Sequence, residues 1–292
     1  MKRATQETLY AYGFLAFPLI IIAFFVLLPS LGSILLSFFH YDGSSTVPPR
    51  FLGLDNYKLL FFSEPLFWGT VRNTFAFALS VVPLTVGLGF LFALPLNADW
   101  FVGRHLVRLL FFLPSVVSIV AIGFVWQWIF NPSFGLLNGL MDALGLPPQP
   151  WLGHPRWAMP CVVLIAAWHG LGFSVILYSA ALQNIPADLY EAAGLDGATA
   201  WQQAVHVTWP LVAPTTLFLF ITGLIAAFQV FDLVYIMTAG GPANATNVLN
   251  NLLYRKFIEN DLGVAAAISV AIFGIILLIT LAQAKLIRTS HP

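Results

Sequence analysis

Apolar positions in this chain gather into long unbroken blocks, separated by short polar segments, instead of alternating at a period of two. Six blocks stand out, at residues 11–39, 73–98, 109–130, 157–182, 211–237 and 263–284. Four carry no charge or histidine; block 157–182 holds only His169, and block 211–237 holds only Asp232. A helix that crosses a bilayer needs about 20 mostly apolar residues, so each block predicts one span and the chain predicts an all-α membrane protein. The blocks are too long and too continuous for the strands of a membrane barrel. Residues 51–62 mix aromatic and apolar side chains with a few charges, which predicts a helix lying in the membrane interface.

The polar segment 183–210 has a pattern of its own. Pro186 suits a first helical turn, and Asp188 and Glu191 have capping-box spacing. Gly197 suits a backbone reversal. Thr199 and Gln202 repeat the capping-box spacing and open a second helix, expected to stop near Trp209 and Pro210. Ala192, Ala193 and Gly194 form a small-residue face. Two readings of that face stand open: another protein's backbone approaches it closely, or alanine simply favours helix in a connecting hairpin.

Composition agrees with the pattern. Hydrophobic residues make up 59% of the 292 positions and charged residues 8%, against about a quarter charged in soluble domains. This excludes a soluble enzyme and a disordered chain. Lys+Arg and Asp+Glu balance at 12 each, so no basic surface offers itself to nucleic acid. Cys161 is the single cysteine, so no internal disulfide and no cysteine cluster is possible. The histidines at 40, 105, 154, 169, 206 and 291 lack metal-ligand spacing. No catalytic constellation stands out, and the chain reads as a non-enzyme.

Lys2 and Arg3 precede an apolar run too long for a signal peptide, so the run is expected to stay as the first span. They favour a cytoplasmic N-terminus, and six spans return the C-terminus to the same side. The full count of Lys and Arg, six inside and six outside, decides nothing.

Several stretches resemble the permeases of ABC importers of the maltose/sn-glycerol-3-phosphate type. Glu191-Ala192-Ala193, Gly197 and Val207-Thr208-Trp209-Pro210 are similar to that family's EAA loop, with Trp209 in place of the usual Leu. Phe228-Gln229-Val230-Phe231-Asp232 and Thr238-Ala239-Gly240-Gly241-Pro242 resemble its fifth-span ending. Tyr254, Phe257 and Gly263 continue the match. Phe51, Gly53, Asp55, Asn56 and Tyr57 match its first outside loop, and Asn73-Thr74 its second-span start. The first loop makes the chain more like the first permease of a heterodimer.

The resemblance implies a type I ABC importer permease fold: one transmembrane permease domain over residues 1–292, with a cytoplasmic two-helix coupling loop at 183–210. It implies both termini in the cytoplasm of a bacterial or archaeal cell and a place in the cytoplasmic membrane. It implies as partners a second related permease, two ABC ATPase subunits, a periplasmic or lipid-anchored substrate-binding protein and the lipid bilayer. No lysine follows a phosphate-binding-loop pattern, so this chain needs no cofactor of its own, and ATP and Mg would be held by the ATPase partner. The implied coupling residues are Glu191, Ala192, Ala193, Leu195, Asp196 and Gly197.

The implied substrate is a sugar, a di- or oligosaccharide first and a glycosylated osmolyte next. Glycerol phosphate is the alternative, disfavoured because the implied cavity face has no Arg or Lys. A secondary carrier is the rival from another class, and it should carry more intramembrane charge. By position in the family, the substrate path takes His169, Gly170 and Phe173 from span four. From span five it takes Gly223, Ala226, Ala227 and Val230, which repeat at helical spacing. Gln229 offers hydrogen bonds beside them. Asp232 is the one acidic side chain inside a predicted span, with a structural or gating role favoured over direct sugar contact. His169 and Trp168 read first as packing residues and second as a sugar-stacking pair.

Overall fold

The protein is described by a computed structural model that covers residues 2–44, 46, 48–98 and 101–290, with side chains at 2–7, 9, 11, 284 and 286–290 left out. The orientation charges Lys2, Arg3 and Arg288 fall among those side chains. Among the described residues five helices are long and apolar enough to span a membrane, and a bent pair brings the number to six. The backbone contacts divide the chain into two compact units, Met1–Phe67 with Leu252–Ile275 and Trp68–Asn251 with Ile276–Pro292.

The first unit begins with α1 (Lys2–Ile22) and α2 (Leu28–Leu36), joined by a π-helical turn at Ala23–Leu27. The span was expected to reach Phe39 but stops at Leu36, because polar groups take over the backbone there. Ser37 Oγ donates to Ile34 O at 2.6 Å and meets the Tyr57 hydroxyl at 2.7 Å. Asn56 Nδ2 donates to Ser37 O and Phe39 O at 2.9 and 2.8 Å. Phe39–His40 (β1) then pairs antiparallel with Arg50–Phe51 (β2). The predicted interfacial helix is short, α3 (Asp55–Lys58) plus a π turn at Leu59–Ser63. Its Asn56 and Leu60 are buried within the protein, so part of the face assigned to lipid serves packing.

The same unit holds the end of α13 (Leu249–Ile258) and the start of α14 (Leu262–Ser290). Gly263 lies against Phe39 O, where a Cβ would collide. Lys256 Nζ pairs with Glu64 Oε2 at 2.9 Å, and both side chains are largely buried. Burial opposes the Lys256 charge, but the Glu64 and Glu259 carboxylates outweigh it and hold its pKa above the ordinary lysine value.

The second unit holds α4 (Phe67–Asn97) beyond Phe67, α5 (Arg104–Val116), α6 (Ile119–Ile129), α7 (Leu136–Ala143) and α8 (Pro155–Gln183). It continues with α9 (Ala187–Leu195), α10 (Ala200–Gln203), α11 (Trp209–Phe228) and α12 (Asp232–Thr238). Glycines set the close helix crossings. A Cβ on Gly172 of α8 would overlap Phe111 O of α5. One on Gly89 of α4 would sit 2.5 Å from Ser174 Cβ of α8. Tyr178 OH, fully buried, donates to Thr216 Oγ1 at 2.8 Å and ties α8 to α11. Arg108 donates to Leu96 O at 2.7 Å and Arg104 to Ala98 O at 3.4 Å. These two cations cover the carbonyl end of α4.

Two expected spans are interrupted. Residues 109–130 were expected as one helix, but α5 and α6 meet at 97°. Pro114 sits in the last turn of α5, and Val117 is extended (φ −80°, ψ 142°); a proline there removes a helical hydrogen bond and crowds the preceding turn. Residues 211–237 were expected as one helix, but α11 ends at Phe228 and α12 starts at Asp232. Conversely, the helix expected to stop at Pro210 runs on: α10 passes through a π turn at Ala204–Thr208 into α11. Trp209 N–H bonds to Ala204 O, five residues back, and that wider turn relieves the steric conflict of the proline that follows.

The Gly240-Gly241-Pro242 segment is a packed turn. Asn73 Nδ2 donates to Asn244 O and Asn247 O at 2.9 and 3.0 Å, and Leu249 N–H donates to Thr74 Oγ1 at 3.0 Å. Gly240 takes φ +85°, with Asn247 Oδ1 3.1 Å from where a Cβ would stand.

Candidate functional site: a cavity and an exposed helical hairpin

A cavity of about 540 Å³ lies inside the second unit, between α4, α8, α11 and the α11–α12 break. All nine residues expected along a substrate path line it: His169, Gly170, Phe173, Gly223, Ala226, Ala227, Gln229, Val230 and Asp232. The sequence reading missed the opposite wall, which α4 supplies through Phe77, Val81, Val82 and Thr85, and the contribution of Ile119 at the start of α6. Trp168 is not in the lining; its ring packs edge-on to Trp126 with centroids 5.7 Å apart.

Small residues open this space. A Cβ on Gly223 would stand 3.2 Å from Val82 Cγ1, and one on Gly170 3.4 Å from Thr85 Cγ2. The threonine hydroxyls in the lining are turned to their own helices: Thr85 donates to Val81 O at 2.9 Å and Thr222 to Phe218 O at 2.7 Å. His169 Nε2 lies 3.3 Å from Val117 O, the carbonyl exposed by the α5–α6 break. The His169 ring thus meets this carbonyl and also stands on the cavity wall.

The helical face expected from Gly223 to Val230 is shorter than that. Val230 lies past the end of α11, in the break, and reaches the cavity as irregular backbone. Asn250 of α13 secures that break: its Nδ2 donates to Phe228 O at 3.3 Å and Val230 O at 3.2 Å. Gln127 of α6 donates to Ile236 O at 3.2 Å, on α12. Asn250 sits in a polar stretch outside the apolar blocks, which is why hydropathy did not mark it. Asp232 opens α12 with its side chain exposed to the cavity and with no hydrogen-bond or ion-pair partner among the described residues.

The six expected coupling residues also come together, on α9 and its end. Glu191, Ala192, Leu195, Asp196 and Gly197 are exposed and Ala193 is half-buried. Leu195, an apolar side chain, is 91% exposed at the tip. Gly197 takes φ +77°, and Ala198 N–H and Gly197 N–H return to Ala193 O and Gly194 O at 2.9 and 3.0 Å. That is a Schellman closure, which favours glycine at its left-handed position. The Thr199–Gln202 capping box is present. The Asp188–Glu191 box is not: Pro186 is the N-cap of α9 and no side chain caps it, because the helix starts one residue before Asp188. Tyr190 OH meets Thr208 Oγ1 at 3.0 Å and ties α9 to the π turn below α11, a link the sequence reading missed.

The fold is that of a type I ABC importer permease. It matches the crystal structure of a bacterial ABC transporter involved in the import of the acidic polysaccharide alginate, with a TM-score of 0.84 and 24% identity over 99% of each chain. Residues 85–289 match the family described as "Binding-protein-dependent transport system inner membrane component", and the chain belongs to that family. It is 36% identical to the probable ABC transporter permease protein YurN of Bacillus subtilis, over 97% of this chain and 98% of the relative. It is 34% identical to the trehalose/maltose transport system permease protein MalF of Thermococcus litoralis, over 92% of this chain and 90% of the relative. The chain is thus a multi-pass transporter permease subunit and not an enzyme.

Proposed function

We propose that this chain forms half of the translocation path of an ATP-driven sugar importer and passes the ATPase stroke to that path through α9. The observation that carries the reading is the continuity of the two sites. The exposed α9 hairpin connects α8 directly to α10 and α11, and α8 and α11 supply two walls of the cavity. A push on α9 therefore displaces both walls at once. Tyr190 and Thr208 stiffen the joint. Glu191 and Leu195 would face the ATPase, and Gly197 would permit the turn.

A cavity of about 540 Å³ is in the range that encloses a small organic ligand. The sugar class is supported by relatives named for trehalose/maltose and lactose transport. The lining has no Lys or Arg, which speaks against glycerol phosphate. Transporters of this kind place the site where two bundles meet, so a second permease would close the path. The ATP and Mg are the concern of two ATPase subunits, and a binding protein would deliver the sugar. This reading puts α9 and both chain ends on the cytoplasmic side of a bacterial or archaeal cytoplasmic membrane, with residues 1–292 acting as one permease domain.

The test is the composition of the complex. The tagged chain, purified from its native membrane, should bring down a related permease and an ATPase, and the reconstituted complex should accumulate a neutral disaccharide only with ATP and the binding protein. Recovery of the chain alone, under conditions that keep other membrane complexes whole, would refute it.

A further inference from the structure

We propose that α7 is a membrane-interface helix whose leucine face rests on lipid, on the side of the bilayer opposite α9. This goes beyond the transport reading and needs only that α8 crosses the membrane, since α7 precedes that 29-residue helix and α9 follows it. In the orientation proposed above, that side is the outer one. The character of the exposed face carries the inference. Leu136, Leu140 and Leu144 follow one another at helical spacing and are 65%, 57% and 66% exposed. The inward residue is polar. Asn138 is buried, and its Nδ2 donates to Pro132 O at 3.1 Å and to Gln149 O at 2.9 Å. Its Oδ1 accepts from Gln149 N–H at 3.0 Å and from Trp151 Nε1 at 2.9 Å. A helix on a water-facing surface shows the reverse arrangement, apolar inward and polar outward.

The neighbours of that face fix what covers it. Gly135 joins α7 to α6 so tightly that a Cβ there would collide with Asn131 O and with the carbonyl of Ile129, the last residue of α6. Leu136 therefore starts at the level where α6 leaves the bilayer. Trp128, exposed in the last turn of α6, packs on exposed Phe134 with centroids 6.4 Å apart. Trp151 packs on Trp157, in the first turn of α8, at 6.1 Å. Indole rings gathered at the ends of two spans mark a membrane–water boundary. Phe124 and Val125 are exposed along α6, so the apolar surface of the span continues through Trp128 and Phe134 to the leucines. Asp142 is the sole charged residue between 109 and 155. It lies two residues from both Leu140 and Leu144, hence across the helix axis, and leaves the leucine face uncharged. An amphipathic helix sinks such a face about 5–10 Å into the boundary between headgroups and acyl chains.

Photochemical cross-linking reads the occupant directly. The photoreactive residue p-benzoylphenylalanine, which inserts into C–H bonds of its nearest neighbour, replaces Leu140, Leu144 or Asp142, one at a time. The chain, with the subunits that copurify, is reconstituted in vesicles of phosphatidylethanolamine and phosphatidylglycerol and irradiated. Adducts are identified by intact mass. The same residue at Phe25, exposed within the first span, shows that the photochemistry works. Adducts of one phospholipid should dominate at 140 and 144 and be severalfold scarcer at 142. A cross-link to another protein chain dominating at 140 or 144 would make the face a subunit or binding-protein contact and overturn the proposal. Lipid adducts equal at all three positions, or absent from all three while Phe25 reacts, would overturn it as well. Failure of sugar uptake by the reconstituted complex would instead strike the import reading and leave this adduct pattern unchanged.

Discussion

Asn250 holds the break that brings Gln229, Val230 and Asp232 to the cavity, so Asn250→Ala tests whether the site depends on that amide. The substitution removes the donations to Phe228 O and Val230 O, 3.3 and 3.2 Å long. Intramembrane side-chain hydrogen bonds average about 0.6 kcal/mol and reach about 1.7. These two lie at the long end of the geometric range, so the pair should be worth about 1–2 kcal/mol together. For a chain of this size about 1 kcal/mol moves Tm by roughly 2–4 °C, which predicts a fall of roughly 2–8 °C. Asn250→Asp keeps the shape but offers only acceptors to two carbonyls, so it should melt at least as low as the alanine variant. The assay is thermal unfolding of the purified complex, followed by tryptophan fluorescence, with sugar uptake measured alongside. Both variants should lose uptake at temperatures where they remain folded, because the break is no longer fixed. If both melt within about 1 °C of the parent and transport normally, the amide does not support the break and the reasoning fails.

Gly172→Ala should cost about 1–3 kcal/mol by forcing α5 away from α8, since its Cβ would overlap Phe111 O; an unchanged melting temperature would show that the two helices have slack. Gly197→Asp meets no atom within 4 Å and asks only about 1–2 kcal/mol for a left-handed residue, so the complex should assemble and hydrolyse ATP while import is lost. Normal import would remove Gly197 from the coupling path. Lys256→Met leaves the largely buried Glu64 without its cation and should cost about 3 kcal/mol. The sign with pH follows from the raised Lys256 pKa: its stabilisation is complete below the ordinary lysine value and is lost as pH climbs through the raised one. Glu259, held low first by its hydrogen bond from Arg255, is the mirror case, losing its contribution as pH falls through its depressed pKa. Parent and Lys256→Met melting curves should therefore converge at strongly alkaline pH, and a gap constant across that range would refute the pair's role.

The sequence carried the positions of the spans and of the helical hairpin at 183–210 because both depend on local signals. Apolar blocks mark helices wherever lipid is the solvent. Thr199 with Gln202 and the glycine at 197 announce their turns by residue type, and both are found where expected. The Asp188–Glu191 spacing announced a cap in the same way and was misplaced, because Pro186 starts the helix on its own. The cavity was legible only on one side. Its α8 and α11 residues follow from the family resemblance, whereas the α4 wall is apolar in type and depends on which face of that helix turns inward. Nothing in Val81 or Val82 distinguishes them from a lipid-facing valine until α8 and α11 are placed.

The interruptions in the spans were the least legible feature and bear most directly on function. Hydropathy averages over a window and passes through Val117–Ser118 and Gln229–Phe231 without a signal, since both sit in apolar company. A bilayer tolerates non-helical backbone only where protein or a water-filled cavity satisfies it. Each break here is met in that way. The Val117 carbonyl has His169, and the Phe228 and Val230 carbonyls have Asn250. Both breaks also deliver residues to the same cavity, Ile119 from one and Gln229 to Asp232 from the other. His169 within an apolar span and Asn250 outside one are therefore the side chains that meet the irregular backbone. The cost of each break is offset by a partner, and the α11–α12 break brings the Gln229 side-chain amide and the Asp232 carboxylate to a largely apolar wall. A continuous helix at either place would satisfy the carbonyls of the break within its own ladder and leave His169 and Asn250 without the partners they have here.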